Sequence, residues 1–188
     1  MTVPVTVKIR LGLESCDLRH VQALARGLES NGACAIFVHG RTSSQGYSGE
    51  VNYTAIKTIK ESVKIPVFGT GNIFNAKLAK KMFDDTGCDG IAVARGSLGN
   101  PWIFGEIEDY ISCGRLNSEI DSAKRLDILK RHLSYIDSYM KAPPPGNVGY
   151  MRKIAIWYLK GFANAPRLRH QISVVTSYEK MLKLIDSI

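Results

Sequence analysis

Two short apolar runs, each breaking into a glycine turn and separated by one helical segment, constrain this chain more than any other feature. The first is Ile65-Pro66-Val67-Phe68, followed by Gly69-Thr70-Gly71-Asn72. The second is Gly90-Ile91-Ala92-Val93-Ala94, followed by Arg95-Gly96-Ser97-Leu98-Gly99-Asn100-Pro101. Both runs are short, rich in β-branched residues and bounded by turn formers, which reads as strand. Between them, Asn75 to Thr86 reads as a helix with Leu78, Ala79, Met82 and Phe83 on one face, Asn75 as N-cap and Gly87 just past the end. The result is a βαβ unit whose glycine turns expose backbone N–H groups at the C-terminal edge of a parallel sheet, where α/β folds bind anions.

The same grammar recurs upstream. Val3 to Ile9 reads as a buried strand and Cys34 to Val38 as another, ending on His39-Gly40-Arg41-Thr42. Asp17 caps a predicted helix carrying Val21, Leu24, Ala25 and Leu28, which Gly32 ends; a second helix aligns Ile56, Ile59 and Val63. Strands starting near residues 5, 34, 65 and 90 make a βα repeat of roughly 25 to 30 residues, as in a doubly wound sheet or a (β/α) barrel. The barrel is favoured because its phosphate site combines the last two strand-end loops with the N-terminus of a short extra helix. Here those parts are Gly69 to Asn72, Arg95 to Gly99 and the turn at Asn100-Pro101-Trp102, with the proline placed for a first helical position.

After Tyr110 the pattern turns helical. Ser118 and Asp121 resemble a capping box ahead of a long amphipathic helix (Ile120, Leu126, Leu129, Leu133, Ile136, Met140) that stops before Pro143-Pro144-Pro145. A second helix runs from Val148 to Ala163, and a third begins at the capping box Thr176 to Glu179. The expected organisation is a partial barrel over residues 1–114, the C-terminal half with about four βα units of a TIM-type (β/α)8 fold, then a small all-α domain over 115–188.

Charge divides along the same line. The net charge is +8. Residues 1–114 carry 12 Lys and Arg against 11 Asp and Glu, whereas residues 115–188 carry 13 against 6. A strongly basic helical segment beside a near-neutral one points to a polyanion such as nucleic acid, although a solvated basic helix surface would look the same. No apolar run approaches the roughly 20 residues of a membrane span, and the first residues lack the order of a signal peptide. A cytoplasmic protein with no membrane partner is expected. The four cysteines (Cys16, Cys34, Cys88, Cys113) form no C-x-x-C pair, so neither a metal site nor a disulfide framework is indicated.

Lys8 lies in an apolar strand and, if buried, needs an anionic or carbonyl partner. His39 and Arg95 end other strands with the same polarity. Together with the Gly69-to-Asn72 turn they converge on one mouth, as a binding site requires.

Val7-Lys8-Ile9-Arg10, Val38-His39-Gly40-Arg41-Thr42, Gln45-Gly46-Tyr47-Ser48-Gly49 and Arg95-Gly96-Ser97-Leu98-Gly99-Asn100-Pro101-Trp102-Ile103-Phe104 together resemble the tRNA-dihydrouridine synthase family, in particular its bacterial B-type branch. The resemblance runs from Pro4 to about Ile107 and resumes at Met151-Arg152-Lys153 and Trp157-Tyr158-Leu159-Lys160-Gly161. It implies an eight-stranded barrel with FMN at its C-terminal mouth and a helical domain that holds tRNA. It implies that Lys8 and His39 approach the flavin ring, and that Thr70, Gly71, Asn72, Ala94 and Arg95 hold the ribityl phosphate. NADPH would then reduce FMN, which exchanges a hydride with the C5–C6 bond of a tRNA uridine. Arg152, Lys153, Lys160, Arg167 and Arg169 are the candidates for RNA phosphate contacts.

The chain departs from the family pattern in three places. Thr70-Gly71-Asn72 stands for the usual Asn-Gly-Asp, and Ile154 for the histidine of Arg-Lys-His. Counting back from the Arg95 strand as the eighth, Lys8 falls on the fifth. Strands one to four and the family's general-acid cysteine are thus expected in a missing N-terminal half, leaving no catalytic residue here. Cys16 is the one local thiol that could be offered as a substitute. A half barrel has open edges, so pairing with that missing half or self-association is expected. Two other readings remain: a non-catalytic tRNA- or RNA-binding remnant of the family, and a barrel that binds another phosphorylated substrate, such as a sugar phosphate.

Overall fold

A computed structural model describes residues 3–116, 120–141 and 146–188. Four strands, β1 (Thr6–Arg10), β2 (Ala35–His39), β3 (Val67–Thr70) and β4 (Gly90–Ala92), form one parallel sheet in the order of the chain. Each strand is followed by a helix on the same side: α1 (Leu18–Ser30), α2 (Tyr53–Ser62), α3 (Ala76–Thr86) and α4 (Ile103–Cys113). Four further helices follow: α5 (Ser122–Tyr139), α6 (Val148–Tyr158), α7 (Ala165–Ser173) and α8 (Tyr178–Asp186). The architecture is a partial (β/α)8 barrel with a helical extension. The chain divides into two compact units, residues 1–97 with 102–116, and residues 98–101 with 117–188.

Capping chemistry sets the helix ends of the first unit. The Asp17 carboxylate accepts from the backbone N–H of Arg19 at 2.9 Å, and the Asn52 and Asn75 side chains accept from Ala55 and Leu78, each at 2.9 Å. Gly87 closes α3 in the left-handed conformation. Side chains alternate along a strand, so Ile9, Ile36, Val38, Val67 and Ile91 turn toward the helices. There they pack with Val21, Ala25, Ala55, Ile56, Ile59, Ala79, Met82, Ile103 and Ile107 in one core. Two carboxylates fasten the strand starts. Glu29 accepts from the N–H groups of Lys64 and Ile65, and Asp89 accepts from Lys60 Nζ and from the N–H of Val67.

The opposite parity faces away from the helices. Register places Arg10, His39, Thr70 and Ala92 in one row, and Lys8, Phe37, Phe68 and Gly90 in the row below. Phe37 and Phe68 stack there with ring centroids 4.6 Å apart.

Three expectations change in this unit. The first strand is not buried. It starts at Thr6, with Val3 and Val5 82% and 60% exposed, because β1 has a single neighbour among the described residues. Lys8 is consequently exposed and needs no partner to offset burial. Pro101 precedes the α4 N-cap, Trp102, rather than occupying the first helical position.

In the second unit, α5 packs on α6 and α8, and α6 on α7, around buried Leu129, Leu133, Ile136, Met151, Ala155, Leu159, Ile172, Met181 and Ile185. Asp121 caps α5, accepting from Lys124 N at 2.7 Å. Ser118 and the Pro143-to-Pro145 stop lie outside the described residues. Ser177, not Thr176, caps α8, and the predicted second helix ends at Tyr158, with α7 following as a separate element. No helix among the described residues is long and apolar enough to cross a membrane.

Candidate functional site

The inner row of the sheet ends in a cavity of about 220 Å³ at the C-terminal strand ends. Lys8 and Arg10 enter from β1, His39 from β2, Thr70 from β3 and Ala92 from β4, all on the parity opposite the helices. Loop residues close the rest: Tyr47, Gly71, Asn72, Ile73, Phe74, Ala94, Arg95 and Gly96. The seven residues that the sequence assigns to a cofactor, Lys8, His39, Thr70, Gly71, Asn72, Ala94 and Arg95, thus line one cavity.

Two glycines allow the loops to meet. Gly71 has φ +135°, and a Cβ there would come within 2.9 Å of Val51. A Cβ on Gly96 would lie 2.0 Å from the carbonyl oxygen of Ile73, so the turn after β3 and the 3₁₀ turn Arg95–Ser97 touch backbone to backbone. Asn72 occupies the left-handed region at φ 52°, which asparagine tolerates better than most residues.

Three guanidiniums organise the mouth. Arg41 is 1% exposed; its Nε donates to Ser48 O at 2.8 Å, its Nη2 to Gly49 O, and its Nη1 to Asn72 Oδ1 at 3.2 Å. Arg10 Nη1 donates to the carbonyls of Thr42 at 2.7 Å and Gly46 at 3.2 Å. The loop carrying Tyr47 is thereby pinned over the site, and the Arg95 guanidinium lies 4.4 Å from the Tyr47 ring and 5.2 Å from that of Phe74. Arg95 Nη2 donates to Asn72 Oδ1 at 3.1 Å.

Among the described residues no carboxylate lines this cavity, and Lys8, Arg10, Arg41 and Arg95 form no ion pair. His39 is held neutral near pH 7, first by its burial and then by these cations. Burial, reinforced by the charges of Arg10, Lys8, Arg41 and Arg95, lowers its pKa from 6.5 to about 4. A pocket of fixed positive charge, backbone turns and a neutral imidazole suits an anionic ligand with a hydrogen-bonding ring.

Arg10, Arg41, Tyr47 and Phe74 were not among the residues the sequence assigned to the site. For Arg10 the signal was present, since it lies two positions after Lys8 on one strand and must share its face. For Arg41, a buried arginine two residues past a strand end carries no such parity.

The five basic residues proposed for RNA lie in the second unit, where they differ in role. Arg152, half-buried on α6, donates from Nη1 to Ser173 O at 2.9 Å, closing the end of α7. Lys153 is exposed, with its ammonium 5.4 Å from the Trp157 ring. Lys160 is exposed, and its carbonyl accepts from Arg125 at 2.7 Å. Arg167 is exposed and Arg169 half-buried, both on α7.

The family model for dihydrouridine synthase matches residues 1–188. The chain belongs to the dihydrouridine synthase family. It is 38% identical over 173 residues to a probable tRNA-dihydrouridine synthase of Rickettsia conorii, covering 92% of this chain and 51% of the relative. It is 36% identical over 186 residues to probable tRNA-dihydrouridine synthase 1 of Synechocystis, covering 98% and 51%. With tRNA-dihydrouridine synthase B of Pasteurella multocida it shares 34% over 186 residues, covering 99% and 55%. The chain spans about half the length of the curated relatives it matches.

Asn72 and Ile154 both have structural roles here. Asn72 is hydrogen-bonded to two guanidiniums through one neutral oxygen, and Ile154 is a core residue at 4% exposure. None of the four cysteines lines the cavity. Cys16 packs against the core of the first unit, and burial followed by the neighbouring Asp17 raises its thiol pKa.

The state of His39 in this synthase-family chain fixes a pH dependence. Between pH 6.5 and about 4 the unfolded chain binds a proton at this residue and the folded chain does not. Its contribution to stability is therefore complete above pH 6.5 and is lost progressively as the pH falls toward 4. Urea unfolding of His39→Asn should show a shallower decline across that window than the parent chain; equal slopes would contradict it.

Proposed function

We propose that this chain is the FMN-phosphate-binding half and RNA-binding extension of a tRNA-dihydrouridine synthase of the bacterial B-type branch, working in the cytoplasm with tRNA. Four further βα units would come from an N-terminal segment that covers the open inner face of the sheet. The observation that carries the reading is the convergence of Lys8, His39, Thr70, Gly71, Asn72, Ala94 and Arg95, from separate strand ends, on one cavity lined by cations and, among the described residues, by no carboxylate. FMN, reduced by NADPH, would supply the electrons that saturate the C5–C6 bond of a uridine.

The residues divide the work. Arg95, the Thr70 hydroxyl and the backbone N–H groups around Gly71 and Asn72 would hold the phosphate, a donor set that matches its charge. Lys8, exposed on the inner face, would help hold the flavin ring and favour negative charge on it. Neutral His39 would hydrogen-bond the ring or the base without adding charge. A uridine must leave its stack to be reduced, so the RNA needs a grip beyond the pocket. Lys153, Lys160, Arg167 and Arg169 would provide it, with Arg152 positioning α7. The proton delivered to uracil C5 would come from a thiol of the N-terminal segment.

Titration of the purified chain with FMN, followed by flavin fluorescence, tests the cofactor reading. Binding should weaken at least about tenfold in Lys8→Ala, since a lost charge contact of 1.4 kcal/mol is a factor of ten. Unchanged affinity would favour a barrel that binds another phosphorylated compound. For RNA, Lys153→Glu with Arg167→Glu should weaken tRNA binding about tenfold or more and flatten its salt dependence. A colourless protein that still shifts tRNA, with no cysteine at the cavity, would favour the non-catalytic RNA-binding reading.

A further inference from the structure

The C-terminal half of α5 carries more apolar surface than the core of the second unit uses. Leu129, Leu133 and Ile136 are buried, yet the adjoining stripe at helical spacing, His132, Tyr135 and Tyr139, runs out to solvent, where Tyr139 is 79% exposed. Tyr135, Tyr139 and Met140 of this end and Tyr150 of α6 are all exposed large side chains. With His132 and Ile136 they line one open groove of about 550 Å³. Clustered exposed apolar surface of this kind marks a binding face, whereas single exposed residues do not.

The groove walls are held in place. Asn147 Nδ2 donates to Ile136 O at 3.1 Å and to Met140 O at 2.6 Å, fastening the end of α5 to the start of α6. His132 Nδ1 lies 3.2 Å from Tyr158 Oη. Arg131 Nε donates to Tyr135 Oη at 2.9 Å, and its guanidinium sits 5.5 Å from the centre of that ring. The surrounding charge has one sign. Residues 138–178 include Lys141, Arg152, Lys153, Lys160, Arg167 and Arg169 and no Asp or Glu. Asp137 acts elsewhere: burial and then the charge of Asp137 raise the pKa of Tyr178 on α8. Among the described residues no carboxylate lines the groove. A face of this charge repels a second copy of itself and suits a ligand that is anionic along one edge and flat and aromatic along another. Single-stranded nucleic acid has that form, and tyrosine rings flanked by arginine and lysine are what its bases stack on.

We propose that the groove between α5 and α6 is a stacking site for an unpaired nucleobase, with Tyr139 and Tyr150 as the platform and Arg131 as the cation at its edge. The proposal rests on the RNA-binding reading of this unit and adds to it a contact with a base, which phosphate contacts do not supply. Stacking depends on the ring and not on its hydroxyl, so the site takes any base that is free of its own stack.

Binding of an unmodified tRNA transcript to the full chain, measured as a function of salt for the parent, Tyr139→Ala, Tyr139→Phe and Tyr150→Ala, tests this. Tyr139 is so exposed that its truncation leaves the fold intact, which urea unfolding checks. Tyr139→Ala and Tyr150→Ala should each weaken binding about tenfold, and Tyr139→Phe should bind as the parent does. The salt slope should be the same in all four, because no phosphate contact is lost. A fully paired RNA duplex should not distinguish the variants from the parent. A parent that binds tRNA while both alanine variants bind it equally well overturns this proposal alone, and assigns the groove to a protein contact instead. A loss that appears equally on the duplex, or that changes the salt slope, also overturns it. A parent that binds no tRNA sinks the RNA-binding reading itself.

Discussion

Arg41→Met is expected to lower folding stability by about 3 kcal/mol and to release the loop that carries Tyr47. The guanidinium is buried and donates to Ser48 O, Gly49 O and Asn72 Oδ1, and each acceptor left without a partner costs roughly 1–3 kcal/mol. Part of that is recovered because methionine removes a buried cation and its desolvation cost along with the hydrogen bonds. A loss of this size is a large fraction of the roughly 5–15 kcal/mol that holds an ordinary domain together. Urea unfolding measures it directly. A loss under about 1 kcal/mol would mean that the loop keeps its place without Arg41.

The second large effect is expected at Gly96. Placing alanine at a glycine of ordinary backbone conformation usually stabilises by about 0.4–1 kcal/mol, because the unfolded chain loses freedom. Here the added Cβ meets the Ile73 carbonyl oxygen at 2.0 Å, against backbone that cannot rotate away as a side chain would. Forcing the two turns apart should cost about 1–3 kcal/mol and open the space between Asn72 and Arg95. The sign is therefore diagnostic: Gly96→Ala destabilises and weakens phosphate binding. A stabilised Gly96→Ala protein would show that the turns do not close on one another.

The sheet was legible where local chemistry agreed with tertiary need. Asn75 and Gly87 mark the ends of α3 in the sequence, and the same residues cap it in the structure. Convergence of the strand ends was legible too, because one βα repeat places every strand end at one edge. What the sequence could not carry was the surroundings of each residue. Val3 to Ile9 resembles an interior strand, yet burial depends on a second neighbour that the described residues do not supply. Arginine is read as a surface residue by default, which hid Arg41 and its part in fixing Asn72. In the helical unit, α7 offers few apolar positions, chiefly Leu168 and Ile172, and starts with Pro166 in its first turn. A periodicity reading therefore merges it with the loop before α8.

The most direct test of the central proposal is the phosphorus resonance of FMN, recorded as the purified chain is added, with riboflavin as the comparison ligand. The expected result is a shifted, broadened phosphate signal that Arg95→Ala returns to its free position, and riboflavin binding weaker than FMN by about tenfold or more. A resonance that does not move at saturating protein, or that moves identically with Arg95→Ala, would contradict the assignment of this cavity to the flavin phosphate.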